Sequence, residues 1–522
     1  MLIKSTLLVV GALPFIQGLP KPQMTSYEEN TGDVAGLDPP FPTFTATAGD
    51  LRGSTDLQGG IASRPPTSGG DSAIVADPEF VNGQDADHDL GLYLDFEQTD
   101  YPNGPQPLRG GYGATDPGPR TYDYEKLNPD IFVSPGTDSG DAPQVMWPLG
   151  LSHNRLGTEP GAGWARQQNE DQLPIATAMA GVDMRLAPHA YRELHWHTSA
   201  EWALVLKGSV RVAAINEDGA SFIDDLTAGD VWFFPSGIPH SIQALDEGTE
   251  FLLVFNSGTF SEESTFLATE MLLRSPQEVW SKDLDADVSV FKDIPQDQKF
   301  IFNGTPAPAD IESQNITGSA GALSGPTGYS YHWSQQEFHN TTGGSVKILD
   351  PLTFPIAAMF SVALVVLEPG AMREVHWHTT SDEWSYFLQG SARLTLFNAP
   401  ANSRTFDFTA GDVGYIPQAS GHYVENTGTD DCIFLEVLQA PKFSDISASQ
   451  WLALTPRQVV KDTLNLTDEV LDNLPKDKTL IKPGNTNLTA LAGDPNGTSG
   501  AGSNSNATAR SVIPKLRSAF EA

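Results

Sequence analysis

Residues 192–202 read RELHWHTSAEW, and residues 373–384 repeat this stretch as REVHWHTTSDEW. Each copy precedes a Gly-Asp-Val segment and one further histidine, His240 in the first half and His422 in the second. A set of three histidines and one glutamate therefore occurs twice, about 180 residues apart, which indicates an internal duplication. The sequence predicts two similar domains, each organised around its own copy of the set.

The spacing inside each copy has a structural reason. In a strand, residues two apart point to the same face, so a His-Trp-His run turns both imidazoles inward and the tryptophan outward. The glutamate is expected from the next strand after a tight turn, and the later histidine from a distant strand across a small barrel. The candidate ligands are His195, His197, Glu201 and His240 in the first half and His376, His378, Glu383 and His422 in the second.

Three imidazoles and one carboxylate suit a borderline divalent ion such as Mn, Fe, Ni or Zn, and they leave positions open for water or substrate. The alternative interpretation is buried histidines that bond to the backbone. That alternative suits a single histidine better than two complete sets, so we predict two metal sites.

Charge limits the classes of partner. The chain of 522 residues carries 66 acidic and 30 basic side chains, which gives a formal net charge of −36. This balance argues against nucleic acid or an anionic membrane as a partner and favours solubility. A hydrophobic share of 39% and a charged share of 18% fit two or three globular domains with polar extensions.

The beginning of the sequence predicts export. Lys4 precedes a short apolar run at residues 7–16, and Gly18 offers a small residue for cleavage, so residues 1–18 are predicted to be a secretory signal peptide. The run is too short to span a bilayer, and no other segment is apolar enough to do so. We expect a secreted protein, free or associated with the cell wall.

Further features fit an exported glycoprotein that is stabilised by its core. Cys432 is the only cysteine, so no internal disulfide can form, and its apolar surroundings predict a buried strand. Seven Asn-x-Ser/Thr triplets are candidate glycosylation sites: Asn303, Asn315, Asn340, Asn465, Asn487, Asn496 and Asn506.

Short apolar or alternating runs, separated by turn residues, predict an all-β fold with a barrel or sandwich in each half. Residues 19–103 are acidic, lack apolar periodicity and are predicted to be a disordered pro-region. The N-terminal domain is predicted at 104–285, a linker at 286–325 and the C-terminal domain at 326–460. Short helices and a flexible glycosylated tail are predicted at 461–522.

Fixed residues surround each ligand set. Gly370 and Gly390 flank the second His-x-His run and its glutamate, while Gly411 and Pro417 precede His422. This arrangement resembles the two cupin motifs, and two cupins in tandem make a bicupin. The resemblance implies two tandem cupin β-barrels of the jelly-roll kind with short flanking helices.

The likeness covers residues 104–460 and extends to particular segments. FSEESTF at 260–266 and GHYVEN at 421–426 resemble secreted oxalate decarboxylases of the fungal type. Three positions depart from the cupin motifs: His189 and Ala419 replace glycines, and Ala244 replaces an asparagine.

The resemblance implies a substrate and cofactors. It implies that oxalate, a small molecule, is split to formate and carbon dioxide, with two manganese ions, one per domain, and dioxygen as co-catalyst. A homo-oligomer is also implied. Two alternatives remain, an oxalate oxidase that forms hydrogen peroxide and a non-catalytic metal-binding bicupin of the storage or sugar-binding kind.

Roles for five more residues follow from their positions. Arg192 and Arg373 each precede the first histidine by three, where a guanidinium can grip a small anion; a salt bridge inside the barrel is the alternative. Glu262 resembles the family's proton shuttle on a lid, and Glu263 stands where the family usually has asparagine. The alternative for both is a solvated helix N-terminus. Glu425 is a catalytic candidate in the second half, but the first site is expected to carry the chemistry.

Overall fold

Strands dominate the computed structural model, which describes residues 139–152 and 154–484. The predicted signal peptide, the pro-region and the sequence from residue 485 onward lie outside the described residues. The strands of the first half are β1 Met146–Pro148, β2 Asn154–Leu156, β3 Gly163–Gln168, β4 Ala180–Leu186, β5 Tyr191–Trp196, β6 Glu201–Ile215, β7 Ser221–Thr227, β8 Val231–Phe234, β9 His240–Phe255, β10 Phe266–Leu267, β11 Ile301–Phe302 and β12 Ser330–Tyr331. Two helices follow β10, α1 Ala268–Arg274 and α2 Gln277–Asp283.

The second half repeats this order of elements. Its strands are β13 His339–Thr341, β14 Gly344–Leu349, β15 Ser361–Leu367, β16 Met372–Trp377, β17 Glu383–Gln389, β18 Ser391–Asn398, β19 Asn402–Thr409, β20 Asp412–Ile416, β21 His422–Asn426, β22 Cys432–Leu438, β23 Ile446–Ser447 and β24 Ile481–Lys482. Its helices are α3 Ala448–Leu454, α4 Arg457–Leu464 and α5 Asp468–Asp472. Short 3₁₀ helices lie at Leu149–Leu151, Glu262–Ser264, Val288–Asp293, Ile311–Gln314, Gly325–Thr327 and Trp333–Gln335. The prediction of an all-β protein with short helices is confirmed.

Each half closes into a barrel of antiparallel strands. In the first barrel β6 and β9 are long enough to run through both faces, so its strands form one continuous sheet. In the second barrel the corresponding strands are interrupted, and two separate sheets result, one built around β17 and β22 and the other around β18 and β21. The apolar strand runs fill each barrel's interior because alternate residues of a strand face the same side.

The two barrels exchange strands at their borders. β1 pairs with β20 of the second barrel, and β12 pairs with β8 of the first. The predicted domain boundaries therefore differ from the structure, because residues 146–148 belong to the second barrel and residues 330–331 to the first. Because strand pairing joins residues that are far apart in the chain, domain boundaries predicted from the order of the sequence cannot show such an exchange.

The predicted linker and the segment after residue 460 also differ from their assignments. The linker carries β11, which pairs with β5 beside Arg192. The later segment carries β24, which pairs with β16 beside Arg373. Each barrel thus recruits a short strand from the polar segment behind it, and this strand borders the motif strand. Two-residue strands are too short to give a periodic sequence signal.

Candidate functional site

The first ligand set is buried and is brought together by three strands of the first barrel. His195 is on β5, His197 follows that strand, Glu201 begins β6 and His240 begins β9. Their ligand atoms lie within 4.8 Å of one another. The predicted clustering is correct, but His240 does not reach across the barrel: β9 is the hydrogen-bonded neighbour of β5, with His240 paired to His195.

The second ligand set has the same construction. His376 lies on β16, His378 follows it, and Glu383 and His422 begin β17 and β21. These ligand atoms also lie within 4.8 Å of one another, and His376 pairs with His422. All eight side chains are buried. Trp196 and Trp377, between the histidines, pack instead against Phe266 and Trp451.

The six imidazoles are held in one tautomer. Each Nδ1–H can donate to a backbone carbonyl oxygen at 2.6–3.0 Å, which leaves the Nε2 lone pair free to bind a metal. The Nε2 atoms of His240 and His376 are buried and have no hydrogen-bond partner among the described residues. Because buried polar atoms are normally satisfied, these Nε2 atoms fit a divalent ion. The alternative interpretation, buried histidines that bond to the backbone, also predicts the contacts at Nδ1. These contacts leave Nε2 unused, so they orient the imidazoles and do not argue against a metal.

One carboxylate oxygen in each set is fixed by a neutral donor. Glu201 Oε1 accepts from Trp232 Nε1 at 2.7 Å, and Glu383 Oε1 accepts from the Ser385 hydroxyl. The other oxygen, Oε2, faces the imidazoles, at 3.1 Å from His197 Nε2 in the first set. This arrangement presents one oxygen to a metal, so each centre offers three nitrogens and one carboxylate oxygen.

Burial and mutual charge set the protonation of the ligands. Burial lowers the pKa of His195 and His376 well below the usual value, and the neighbouring arginines and imidazoles lower it further. Burial alone would raise the pKa of Glu201, but the hydrogen bond from His197 and the nearby His240 imidazole, 3.6 Å from Oε2, outweigh it and hold this pKa below its usual range. Neutral imidazoles and an ionised carboxylate are the forms that bind metals.

Arg192 lies beside the first centre and keeps part of its donor capacity. It is 1% exposed, and its Nη2 donates to Glu262 Oε2 at 2.9 Å and to Thr265 Oγ1 at 3.2 Å. Its Nε and Nη1 atoms are buried without a hydrogen-bond partner in the described part of the chain. A guanidinium with two unpaired donor nitrogens next to a metal centre can accept a small anion, with Nη2 completing a carboxylate fork once Glu262 leaves it.

Glu262 lies in a short segment that covers this centre. Ser261 caps the 3₁₀ helix Glu262–Ser264, and β10 then pairs with β5 next to His195. Glu262 is 5% exposed, and its carboxylate turns inward to Arg192. The helix N-terminus expected for Glu262 and Glu263 exists as a single 3₁₀ turn, but only Glu263 is solvated, with 71% of its side chain exposed.

Arg373, the counterpart of Arg192, is fully engaged. Its Nη2 donates to Asp445, its Nε lies 3.3 Å from Glu436 Oε1, and its Nη1 donates to the Leu480 carbonyl. Burial alone would lower the pKa of Arg373, but the charges of Glu436 and Asp445 outweigh it and raise this pKa. Of the two interpretations of the arginines, the salt bridge inside the barrel applies to Arg373.

Glu425 does not join the second centre. Burial alternates along β21, with His422, Val424 and Asn426 buried, so Glu425 lies on the other face of the strand, paired with Arg393 of β18. The prediction of a catalytic Glu425 is wrong on this geometry, because residues three apart in a strand point to opposite faces.

The sequence interpretation missed the carboxylate that does lie near the second centre. Glu436 interrupts the apolar run of β22, is 1% exposed and lies beside Arg373, and burial raises its pKa to about 7. A lone acid in an otherwise apolar strand was a usable signal. Asp445 and Lys478, which form an ion pair, gave no such signal because both lie in polar segments.

Comparisons with known proteins agree with this geometry. The family model described as Cupin matches residues 150–291 and 334–472. The oxalate decarboxylase OxdC of Bacillus subtilis is 44% identical over 374 residues, which cover 72% of this chain and 96% of that protein. A solved structure of the Bacillus subtilis enzyme, from work on its Mn(II) centres, has a TM-score of 0.66, 42% identity and coverage of 72% of this chain and 99% of that chain. The formate complex of Lactobacillus farciminis oxalate decarboxylase gives a TM-score of 0.63 at 44% identity, covering 66% of this chain and all of that one.

The match to the family model and the similarity over nearly the whole length of a curated relative agree with the duplicated ligand sets and the paired barrels. The chain therefore belongs to the cupin family, as a two-domain member of the oxalate decarboxylase group.

Proposed function

We propose that the first metal centre converts oxalate to formate and carbon dioxide. The observation that carries this assignment is the contrast between the two arginines: Arg192 keeps two buried donor nitrogens without a partner among the described residues, whereas each nitrogen of Arg373 has a contact, with Glu436, Asp445 or a carbonyl. An anionic substrate needs unpaired donors beside the metal, and only the first centre offers them on this geometry.

The protein groups have separate tasks in this reaction. The substrate displaces the Glu262 carboxylate from Nη2 of Arg192, and the substrate carboxylate is then bound by Nη2 together with its neighbour Nε or Nη1. Glu262 then takes the acidic proton of hydrogen oxalate and returns a proton to the carbon at which the carbon–carbon bond breaks. Hydrogen oxalate thereby becomes formate and carbon dioxide, with hydrogen and charge balanced and Glu262 regenerated.

We assign manganese to both centres. The Nε2 atoms and the single carboxylate oxygen of each set fit such an ion, and the comparison with a Bacillus subtilis enzyme that has Mn(II) centres supports the choice. When bound, manganese would supply a Lewis acid for a substrate oxygen and, with dioxygen as co-catalyst, a one-electron oxidant. His195, His197, Glu201 and His240 would hold the first ion, and His376, His378, Glu383 and His422 the second.

The alternatives fit the geometry less well. An oxidase needs no proton donor above the substrate, and Glu262 supplies one, buried and paired with Arg192. Glu263, which stands where the family usually has asparagine, is exposed and lies 3.3 Å from Arg155. A storage or sugar-binding bicupin needs no metal ligands, and this chain has two complete sets.

Product analysis tests the function. The manganese-loaded protein is incubated with oxalate at acid pH while formate, carbon dioxide and hydrogen peroxide are followed together. Formate and carbon dioxide in near-equal yield support the proposal. Peroxide without formate assigns the protein to the oxidases, and the absence of all products refutes an oxalate function.

The protein is further proposed to be secreted and glycosylated. The predicted signal peptide supports export, and among the described acceptor triplets Asn303, Asn340 and Asn465 have exposed side chains. Mature protein recovered from medium, sequenced at its N-terminus and shifted in mass by glycosidase treatment, would agree with the proposal. Intracellular retention with the first 18 residues intact would contradict it.

We also propose a homo-oligomer. No helix in the described part of the chain is long and apolar enough to cross a membrane. The short helices behind each barrel nevertheless expose large apolar side chains, which supports burial against another copy of the chain. These side chains are Met271, Val279, Trp451, Leu454, Val459, Leu464 and Val470. Light scattering that returns the mass of a single chain would refute this assembly.

A further inference from the structure

Residues 261–265, the segment over the first centre, form hydrogen bonds and ion pairs on the side that faces the centre and on the opposite side. From inside, Arg192 binds the carboxylate of Glu262. From outside, Arg155 Nη1 donates to the main-chain carbonyl oxygen of Glu262 at 2.7 Å, and Arg155 Nε lies 3.3 Å from Glu263 Oε1. Glu262 is therefore held at two different atoms by two arginines.

We propose that Arg155 is a positioning residue that keeps residues 261–265 closed over the first centre by binding the backbone of Glu262 and the side chain of Glu263. This inference rests on the proposed function. It adds a residue that touches neither substrate nor metal, and it gives a role to the glutamate at position 263.

Arg155 is itself fixed to the barrel. It lies on β2, its guanidinium stacks over the Phe300 ring at 3.7 Å from the centroid, and its Nη2 donates to Gln298 Oε1 at 3.0 Å. Only 16% of its side chain is exposed. A planar guanidinium already held by Phe300 and Gln298 loses little conformational freedom when it binds the segment.

The contact with the backbone suits a proton shuttle. In the proposed reaction the carboxylate of Glu262 leaves Arg192 and changes protonation, so the inner contact is broken during each turnover. The contact between Arg155 and the carbonyl oxygen of Glu262 does not depend on that carboxylate. Arg155 can therefore hold the segment closed while the side chain of Glu262 moves, which keeps water away from the reacting carbon.

Glu263 adds to the same contact from the surface. Its carboxylate is 71% exposed, so the ion pair with Arg155 is weak by itself. Together with Gln167, whose Oε1 accepts from the Glu262 backbone N–H at 3.0 Å, these residues bind the segment on its outer side. Loss of Arg155 removes two contacts at once, whereas loss of the Glu263 charge removes one.

The test compares wild type with Arg155→Ala, Arg155→Lys and Glu263→Gln. Amide hydrogen exchange of residues 261–265 is measured in the full-length protein with and without manganese, and the ratio of peroxide to formate is measured with oxalate. We expect exchange to rise about tenfold or more in Arg155→Ala, because a charge-assisted hydrogen bond is lost. Glu263→Gln is expected to raise it roughly two- to fivefold. Exchange in Arg155→Lys should lie between the values of the other two variants. The ratio of peroxide to formate should rise in the same order as exchange.

Arg211→Ala is the matched control. Arg211 is a buried arginine of the same barrel that pairs with Asp225 and a carbonyl of the predicted linker, far in sequence from the covering segment. It is expected to lower thermal stability without changing exchange at 261–265 or the product ratio. A change in that exchange equal to the change in Arg155→Ala would make the effect of Arg155 general destabilisation and overturn the inference.

Failure of the inference and failure of the proposed function are distinguishable. If wild type makes formate but Arg155→Ala leaves both exchange and product ratio unchanged, the inference is wrong and the function stands. If wild type makes no formate, the function is wrong, and exchange alone decides whether Arg155 holds the segment. Glu263→Gln alters an exposed side chain, so it keeps the test open even if Arg155→Ala does not fold.

Discussion

Arg192 and Arg373 occupy the same position in two copies of one motif, but their neighbouring side chains differ. Each precedes a His-x-His run by three residues, and each is buried. They differ because β22 carries Glu436 at the position where β9 carries Leu253. Glu436 pairs with Ser385 and Leu253 pairs with Ala203, and each of these two partners lies two residues after the ligand glutamate that begins its strand. Glu436 and Asp445 both contact Arg373, whereas Arg192 pairs, within the described residues, with Glu262 alone and keeps Nε and Nη1 for a substrate. The motif predicted both ligand sets, but this difference depends on residues about 60 positions away.

Glu262→Gln separates proton transfer from substrate binding. The glutamine amide can still accept from Arg192, but it cannot carry a proton, so we expect formate formation to fall by roughly 10²–10⁴-fold. The KM for oxalate should change much less, because Arg192 and the metal ligands are untouched. Steady-state kinetics with formate detection provide the measurement. The control is Glu263→Gln, which should stay within about fivefold of wild type, and a Glu262→Gln variant with normal turnover would exclude Glu262 as the shuttle.

The ion pairs of Asp445 should contribute to the stability of the folded protein in a pH-dependent way. Burial alone would raise the pKa of Asp445, but Arg373 and Lys478 outweigh burial and lower it below its usual value. A carboxyl group with a depressed folded pKa stabilises the native state above its unfolded pKa of about 3.9, and this contribution is lost as the pH falls through the folded value. Asp445→Asn should therefore destabilise the protein at pH 7, and the difference from wild type should shrink below pH 4. Thermal unfolding across this range measures it; a difference that is constant with pH would contradict the assignment.

At the scale of the elements, glycines decide where long strands bend. Gly208 lies inside β6 with φ of 70°, at a register shift against β9. Gly390 has φ of 80° and separates β17 from β18 in the second barrel. The sequence predicted Gly390 as a motif position, but it did not predict that Gly208 lies within a continuous strand, because strand continuity depends on the partner strand. At His189 and Ala419, where motif glycines are replaced, the backbone still takes positive φ, so the turn keeps its geometry without glycine.

Gly208→Ala tests the bend in β6. An added Cβ would lie 2.0 Å from the Gly248 carbonyl oxygen, a backbone atom that cannot move aside as a flexible side chain can. The left-handed conformation adds about 1–2 kcal/mol for any residue with a side chain. We expect a clear fall in thermal stability, larger than for Gly390→Ala, where the closest backbone oxygen lies at 2.8 Å. Calorimetry of the two variants compares them, and equal losses would show that positive φ alone, rather than the approach of Gly248, limits this position.

At the scale of the whole molecule, the two barrels are joined by strand pairing, apolar packing and hydrogen bonds. They exchange β1 and β12, and besides the interior of each barrel there is an apolar cluster to which both barrels contribute side chains. Polar contacts cross the same border: Trp384 Nε1 donates to Gln168 Oε1 at 2.8 Å, and the Ala178 N–H donates to the Tyr415 hydroxyl at 3.1 Å. The duplication predicted two barrels, but not their union, since a face that packs on a second barrel has the same apolar pattern as one that packs inside. We therefore expect a single thermal transition.

Gly181→Ala tests this union from the first barrel. Gly181 lies on β4, and an added Cβ would lie 2.1 Å from Cζ2 of Trp384, a fully buried ring of the second barrel. Overpacking of this kind typically costs about 1–3 kcal/mol. Because Trp384 directly follows the ligand Glu383, the displaced ring should also weaken manganese binding at the second centre. We expect one transition at lower temperature and less than two manganese ions per chain.

Calorimetry and metal analysis of dialysed protein measure these outcomes. Gly318→Ala is the control, because its added Cβ would approach only a carbonyl oxygen at 3.8 Å. It should leave both the transition and the metal content unchanged. If Gly181→Ala instead splits the transition in two, with one half at the wild-type temperature, the barrels are independent and the shared core does not couple them. If the transition falls but both ions remain, the strain is absorbed before it reaches Glu383, and the second centre is insulated from the border between the barrels.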